Sequence, residues 1–193
     1  MKKINKLFVF IALIATFSIS SCSEVEPLDP VLSNQIEAGN GSGNGNASGG
    51  NGSTIAGRYV MTAFNTSVPT DLNNDGNASV NQMNETACFN NNIIEINTNN
   101  TFTATSKGID IDLTTTISVI ECFTDPSFSG TWSVSNNIIS FNYVDGGTPQ
   151  QDSFVVAGNT LTVTVPDGEI VGTSSTGEPI YLDADITIVY TKQ

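Results

Sequence analysis

From Ile55 onward the chain alternates apolar and polar residues with a period of two. Leu161, Val163 and Val165 alternate with Thr160, Thr162 and Thr164, and Ile186, Ile188 and Tyr190 with Thr187, Val189 and Thr191. Successive side chains of a strand point to opposite faces, so this pattern places one face in a core and the other in water, as in antiparallel sheets. Ile109–Val119 alternates in the same way and predicts one strand with Ile109, Ile111, Leu113, Ile117 and Val119 on a single face. Shorter stretches of this texture are Arg58–Phe64, Ile93–Asn97, Phe102–Ser106, Thr131–Val134, Ile138–Val144, Ser153–Val156 and Ile180–Ala184. Turns are predicted at Asn97–Asn100, Asn136–Asn137, Asp145–Gly147 and Gly158–Asn159, where Asn, Asp and Gly cluster.

Only Ser79–Ala87 has a helical spacing, with Val80, Met83 and Ala87 on one face. It falls between the first and second strands. The expected fold is all-β: an antiparallel up-and-down β-barrel of 8–10 strands with one short helix, its first long connection crossing one end. A β-sandwich is the alternative.

The N-terminus has a different texture. Lys2, Lys3 and Lys6 precede the apolar run Leu7–Phe17, and small residues lead into Cys22. That order is the order of an export signal. The run Ile19-Ser20-Ser21-Cys22 resembles the lipobox of bacterial lipoproteins, which implies acylation of Cys22 after removal of residues 1–21. The apolar run is shorter than the ~20 residues a spanning helix needs, so lipid is the expected anchor, and two or more acyl chains hold stably. Ser23-Glu24-Val25-Glu26 resembles an acidic signal that sends lipoproteins to the outer face, implying the outer membrane and the cell surface. Residues 22–54 read as a tether, since Asn40–Ser53 is only Gly, Asn, Ser and one Ala and can bury nothing. Its reach is roughly 30 Å. Residues 55–193 form the folded domain.

Charge narrows the function. Removing the leader leaves Arg58, Lys107 and Lys192 against all nineteen acids. A phosphate binder needs clustered Lys and Arg, so nucleic acid is excluded as a partner. Beyond Cys22 there are two cysteines, Cys88 and Cys122, and no histidine. An even pair in an exported chain predicts one disulfide.

The sharpest motif is Asp71, Asn73, Asp75, Gly76, Asn77 and Ser79. It has oxygen side chains at positions one, three, five and nine of a calcium loop and the turn-making glycine at six. Gln82 stands where the bidentate glutamate belongs, with Glu85 as a substitute if it turns inward. Two readings stay open, a weak structural calcium site or a tight loop built of the same residues. Catalysis is poorly provided for. Without histidine or a free cysteine the commonest bases and nucleophiles are missing. The pairs Asp110/Asp112 and Asp183/Asp185 fall on outward faces of strands. A non-enzymatic role is expected.

Gly57-Arg-Tyr59 opens the first strand, and Asp71–Gly76, Cys88, Cys122, Gly130-Thr-Trp132, Leu161-Thr-Val163 and Ile186–Thr191 follow in order. In this order the chain resembles the lipocalin-like domains of secreted bacterial lipoproteins. Tyr59 stands where true lipocalins have tryptophan. The resemblance implies a closed barrel whose interior holds a small apolar ligand. The expected lining is Tyr59, Phe102, Trp132, Phe141 and Tyr143, unless these residues simply fill the barrel. The alternative is a surface module that binds a glycan or protein with its loops and outer face.

Overall fold

The structure is a computed structural model that describes residues 55–113 and 119–193. The expected signal segment, Cys22 and the tether lie outside the described residues. Within them the chain forms β1 (Gly57–Thr70), β2 (Ser79–Asn81), β3 (Ile93–Ile96), β4 (Thr101–Thr105), β5 (Lys107–Asp112) and β6 (Val119–Thr124). β7 (Phe128–Ser135), β8 (Ile138–Asp145), β9 (Thr148–Ala157), β10 (Thr160–Thr173) and β11 (Pro179–Lys192) follow. Eight of these, in the order β1-β3-β4-β7-β8-β9-β10-β11, form a meander that closes when β11 pairs with β1. Every pairing is antiparallel, so the expected up-and-down barrel is the observed fold.

The two ends differ. One end, the base, carries three tight turns, while the fourth, at Gly146-Gly147 between β8 and β9, lies at the opposite end. Asn136 and Asn137 both take the left-handed conformation that a two-residue hairpin requires, and Asn100 and Gly158 supply it in the neighbouring turns. Trp132 Nε1 donates to the Asn97 carbonyl at 3.0 Å, and the Tyr59 hydroxyl donates to the Ile55 carbonyl at 2.9 Å. These bonds fasten Trp132 to the turn, and Tyr59 to the N-terminal residue, beneath them. Gly130 is required here. A Cβ at this position would run into the Asn142 carbonyl and the Phe102 ring.

The other end, the mouth, carries the long connection from β1 to β3 and an inserted hairpin. The expected helix over Ser79–Ala87 is not formed. Its place is taken by β2 and two 3₁₀ turns, Gln82–Asn84 and Ala87–Phe89. The side chains of Asn81 and Thr86 accept backbone N–H groups at the start of each turn, which breaks the segment into short pieces. Gln82 and Phe89 face the protein, whereas Val80 is half exposed. Gln82 is fully satisfied, accepting from the Thr70 hydroxyl at 2.7 Å and donating to Thr66 and Ser79.

The expected single strand Ile109–Val119 is also corrected. It is a hairpin in which β5 and β6 pair from Lys107↔Thr124 to Asp112↔Val119. Of the face expected to be buried, Ile111 is buried while Leu113 and Val119 stand exposed at the hairpin's end. Conversely, the two stretches read as Ile180–Ala184 and Ile186–Thr191 are one strand, β11. The hairpin is tied back by Asn92, a buried side chain whose amide donates to the Lys107 carbonyl and accepts from the Lys107 N–H. Cys88 in the second 3₁₀ turn forms a disulfide with Cys122 in β6, as expected, with Cα atoms 5.1 Å apart.

This disulfide joins the two pieces of the mouth that have the least contact with the barrel ladder. Its 34-residue separation gives a stabilisation of about 4 kcal/mol in the chain-entropy treatment. The double variant C88S/C122S is therefore expected to unfold at lower urea with a loss of about 3–4 kcal/mol. Amide exchange should show the first loss of protection in β5 and β6, with β8 and β11 holding theirs.

Candidate functional site

Inward positions follow from register. Phe141 lies opposite Trp132 on β7 and opposite Asp152 on β9, so all three share the inner face. Near the base that face is filled. Tyr59, Phe102, Trp132 and Phe141, four of the expected ligand residues, are buried in one cluster with Ile94, Ile139, Leu161 and Ile188. Phe102 and Phe141 have ring centroids 4.7 Å apart, Phe141 meets Phe154 at 5.6 Å, and Phe154 meets Tyr190 at 6.1 Å. The tilted and edge-on arrangements are those aromatic rings prefer when they pack.

Toward the mouth the inner face is mixed. Val165, Ile170, Ala184 and Ile186 remain buried, whereas Phe128, Tyr143, Val163 and Leu182 are only partly buried although they pack on the same core. One wall junction is also incomplete. β9 pairs with β10 at only three positions, from Val155↔Thr162 to Ala157↔Thr160. β9 continues along β8 to Thr148, and β10 continues along β11 to Thr173. Above Thr162 the two strands are no longer paired, and this unpaired seam is a slot in the hydrogen-bonded wall. Each strand carries a proline beside it, Pro149 on β9 and Pro166 on β10. Pro166 and Asp167 form a bulge, with Asp167 at φ 50° and its N–H donating to Asp185. Prolines and bulges are how free sheet edges resist the addition of another strand.

Asp152 faces this region. Its Oδ2 accepts the Tyr143 hydroxyl at 2.9 Å. Burial raises its carboxyl to about 6, against a smaller lowering by the Tyr143 hydrogen bond, and no cation acts on it. The same pair pushes the Tyr143 hydroxyl up, through burial first and the negative charge of Asp152 second. Tyr190 is raised by burial, again with Asp152 contributing. Tyr143, the fifth expected residue, thus belongs with Asp152 rather than with the packed base. Asp152 was not among the residues expected from the sequence. The residues Pro149-Gln-Gln-Asp152 do not alternate and lie outside the stretches read as strands, so only the pairing Phe141↔Asp152 reveals that Asp152 points inward.

The candidate calcium residues form a loop at the rim. Asp71 accepts the N–H groups of Asp75 and Gly76 with its two oxygens, and Asn73 Oδ1 also accepts from Asp75. Asp75 accepts from the Asn77 N–H at 2.8 Å, which with the Asn77 side chain lowers its carboxyl below the usual value. Ser79 Oγ accepts from Asn81 N and Asn84 Nδ2. Gln82, at position twelve, is spent on Thr66 and Thr70. Glu85 does turn inward and accepts the Leu72 N–H. The loop is held by its own side chains. Among the described residues no three of the residue types His, Cys, Asp and Glu gather into a metal-binding group.

The two carboxylate pairs are not gathered into a cleft. Asp183 and Asp185 are exposed, and Asp110 accepts the Tyr181 hydroxyl at 2.7 Å, pinning β5 to β11. That bond, after burial, pushes the Tyr181 hydroxyl up to about 12.

The family model for a lipocalin-like domain matches residues 55–163, 109 of the chain's 193 positions. No curated protein and no solved structure matches the chain.

Asp152 gives a pH signature. A carboxyl raised in the folded state adds stability that is complete below its unfolded value near 3.8 and is lost as pH rises through about 6. Discounted for its residual contact with water, the loss amounts to about 1–2 kcal/mol at neutral pH. D152N is expected to recover that amount at pH 7.5 in urea unfolding. It should also flatten the stability curve between roughly pH 4 and 6.

Proposed function

Because the chain belongs to the lipocalin-like domain family, we propose that it is a non-enzymatic binding module that holds a small apolar ligand in the mouth half of its barrel. The observation that carries this reading is the contrast along the inner face. The base is packed solid, whereas Phe128, Tyr143, Val163 and Leu182 above it keep contact with solvent beside a slot in the wall. Apolar side chains left partly wet on a concave face are the usual material of a ligand site. The packed base gives the barrel its stability, and the mouth supplies the binding surface.

The address belongs to the same proposal. Cys22 is acylated, and the domain stands off the bacterial outer membrane on the tether of residues 23–54, exposed at the cell surface. Ile55, where the tether joins the domain, lies at the base of the barrel. The rim loop Asp71–Ser79 takes calcium weakly or closes on its own hydrogen bonds. A calcium-dependent rise in melting temperature that a chelator reverses decides between the two.

A second reading rests on the outer wall. Outward residues of β8, β9 and β10 such as Ser140, Asn142, Gln151, Ser153 and Thr162 are uncharged, and Ile138 and Val155 stand exposed opposite each other. In a chain this acidic, such a wall suits a glycan or protein partner that the rest of the surface disfavours.

Two measurements test the proposal. The full chain expressed in a Gram-negative host should sediment with the outer membrane, and C22S should release it. A wild-type chain found free in the periplasm contradicts the anchor. The neutral probe N-phenyl-1-naphthylamine should bind the C22S chain saturably, at one probe per chain, with enhanced emission. No saturable binding contradicts the barrel site and favours the outer wall.

A further inference from the structure

Asp152 is difficult to explain as a structural residue. It is an inward carboxylate with one hydrogen-bond partner, the Tyr143 hydroxyl, and no cation offsets its charge. Packed cores gain nothing from such a group, since an apolar residue of similar size would stabilise the barrel more. Local choices that oppose stability are found where function needs them. The neighbouring inner positions are mostly apolar or aromatic: Phe154 lies two residues along β9, Val163 and Val165 lie on β10, and Gln150, two residues the other way and opposite Tyr143, is the one uncharged polar neighbour. A single carboxylate at the edge of an apolar surface is the complement of an amphiphile with one positive end.

The wider charge distribution selects the same sign. Asp145 lies at the turn beyond Tyr143, and Asp167 and Glu169 lie on β10 beside the slot. Of the cations among the described residues, Arg58 is engaged with Glu95 at 3.2 Å on the first strand pair, Lys192 ends β11 at the base, and Lys107, which opens β5, is the single one on the mouth side, outnumbered by these acids. The field at the mouth therefore draws in cations and repels carboxylate-headed lipids. The slot itself is not a seat for another strand, because Pro149 and Pro166 with the Asp167 bulge guard the strands on either side.

The geometry points to a cationic amphiphile, a primary or secondary amine on an apolar body, as the ligand. It enters between β9 and β10 with its ammonium on Asp152 and its body against Val163 and Leu182. This inference rests on the barrel-mouth reading above and specifies its ligand class. The ammonium replaces the Tyr143 hydroxyl as the main partner of the carboxylate or shares it. The groups that act with Asp152 are Tyr143 from β8 and Tyr190 from β11, with Asp145 beyond Tyr143; Gln150 shares its face on β9, and β10 presents Leu161, Val163, Val165 and, past the bulge, Ile170 inward. None of these is a competing cation.

The test uses the full chain carrying C22S and three dansyl probes with the same short alkyl chain, ending in an amine, a methyl group or a carboxylate. Affinities are read from emission at pH 7.5. The amine probe should bind at least about tenfold tighter than the methyl probe, with the carboxylate probe weakest. In D152N the ratio of amine to methyl affinity should fall to within about twofold of unity. In wild type that ratio should fall as pH drops through about 6. Equal binding of amine and methyl probes, a preference for the carboxylate, or a preference that persists in D152N overturns the inference and leaves the barrel-mouth reading intact. If none of the three probes binds, the barrel-mouth reading fails and the inference falls with it. Circular dichroism of D152N, expected to match wild type, guards against a folding defect, and D152E should restore part of the amine preference.

Discussion

The structure depends on the pairing of its first strand with its last. β1 and β11 join over Tyr59↔Lys192 to Thr66↔Ile186, interrupted by one bulge between Met61 and Ala63. Without that seam the meander would be an open sheet with two edges and half its inner face wet. β1 is long enough to do more than close the barrel. Its first four residues pair with β3, its centre with β11, and its last turn of chain carries β2 and the Gln82 turn over the mouth. Closure at the base and partial cover at the mouth are thus consequences of one strand having three neighbours in succession.

The second wall junction, β9 with β10, is closed over only three residue pairs, and the difference between the two junctions gives the molecule its polarity. Below Thr162 the interior is a stack of aromatic and branched side chains that leaves little room. Above it, β9 and β10 are unpaired, and the polar pair Asp152–Tyr143 interrupts an inner face on which Val165, Ile170 and Ile186 remain buried. A carboxylate that weakens the fold at neutral pH sits where the wall is already open, so the stability it forgoes is drawn from the part of the barrel that packs least. The disulfide and Asn92 then hold the β5–β6 hairpin near the mouth by means that do not require a hydrophobic core of their own.

Much of this was legible in the chain. Alternation identified the staves, the Asn and Gly clusters identified the turns at the base, and Cys88 with Cys122 identified the disulfide. The failures have physical causes. Period two runs on through both arms of a hairpin, and the residues between Asp112 and Val119 are Leu, Thr, Ile and Ser rather than Gly or Asn, so the reversal between β5 and β6 left no turn signal. Asn81 and Thr86 turn a helical spacing into two 3₁₀ turns because their side chains compete for backbone N–H groups, which spacing alone does not register. For the aromatics, face was readable and depth was not. Tyr59, Phe102, Trp132 and Phe141 share an inner surface with Tyr143, yet only the register along the barrel axis separates the packed base from the mouth. Asp152 was hidden for the converse reason, since a polar run shows no period and its inward face is conferred by Phe141 across the strand pair.

The central claim is that an apolar ligand occupies the mouth half of the barrel interior. Methyl-resolved NMR of the full C22S chain, titrated with a neutral apolar probe, addresses it most directly. Val163 and Leu182 mark the inner face at the mouth, Ile139 and Leu161 the packed base, and Ile138 and Val155 the outer wall. The account predicts saturable shifts of the Val163 and Leu182 methyls with those of Ile139 and Leu161 nearly still. Shifts centred on Ile138 and Val155, with the inner methyls unmoved, would contradict it and transfer the function to the outer wall.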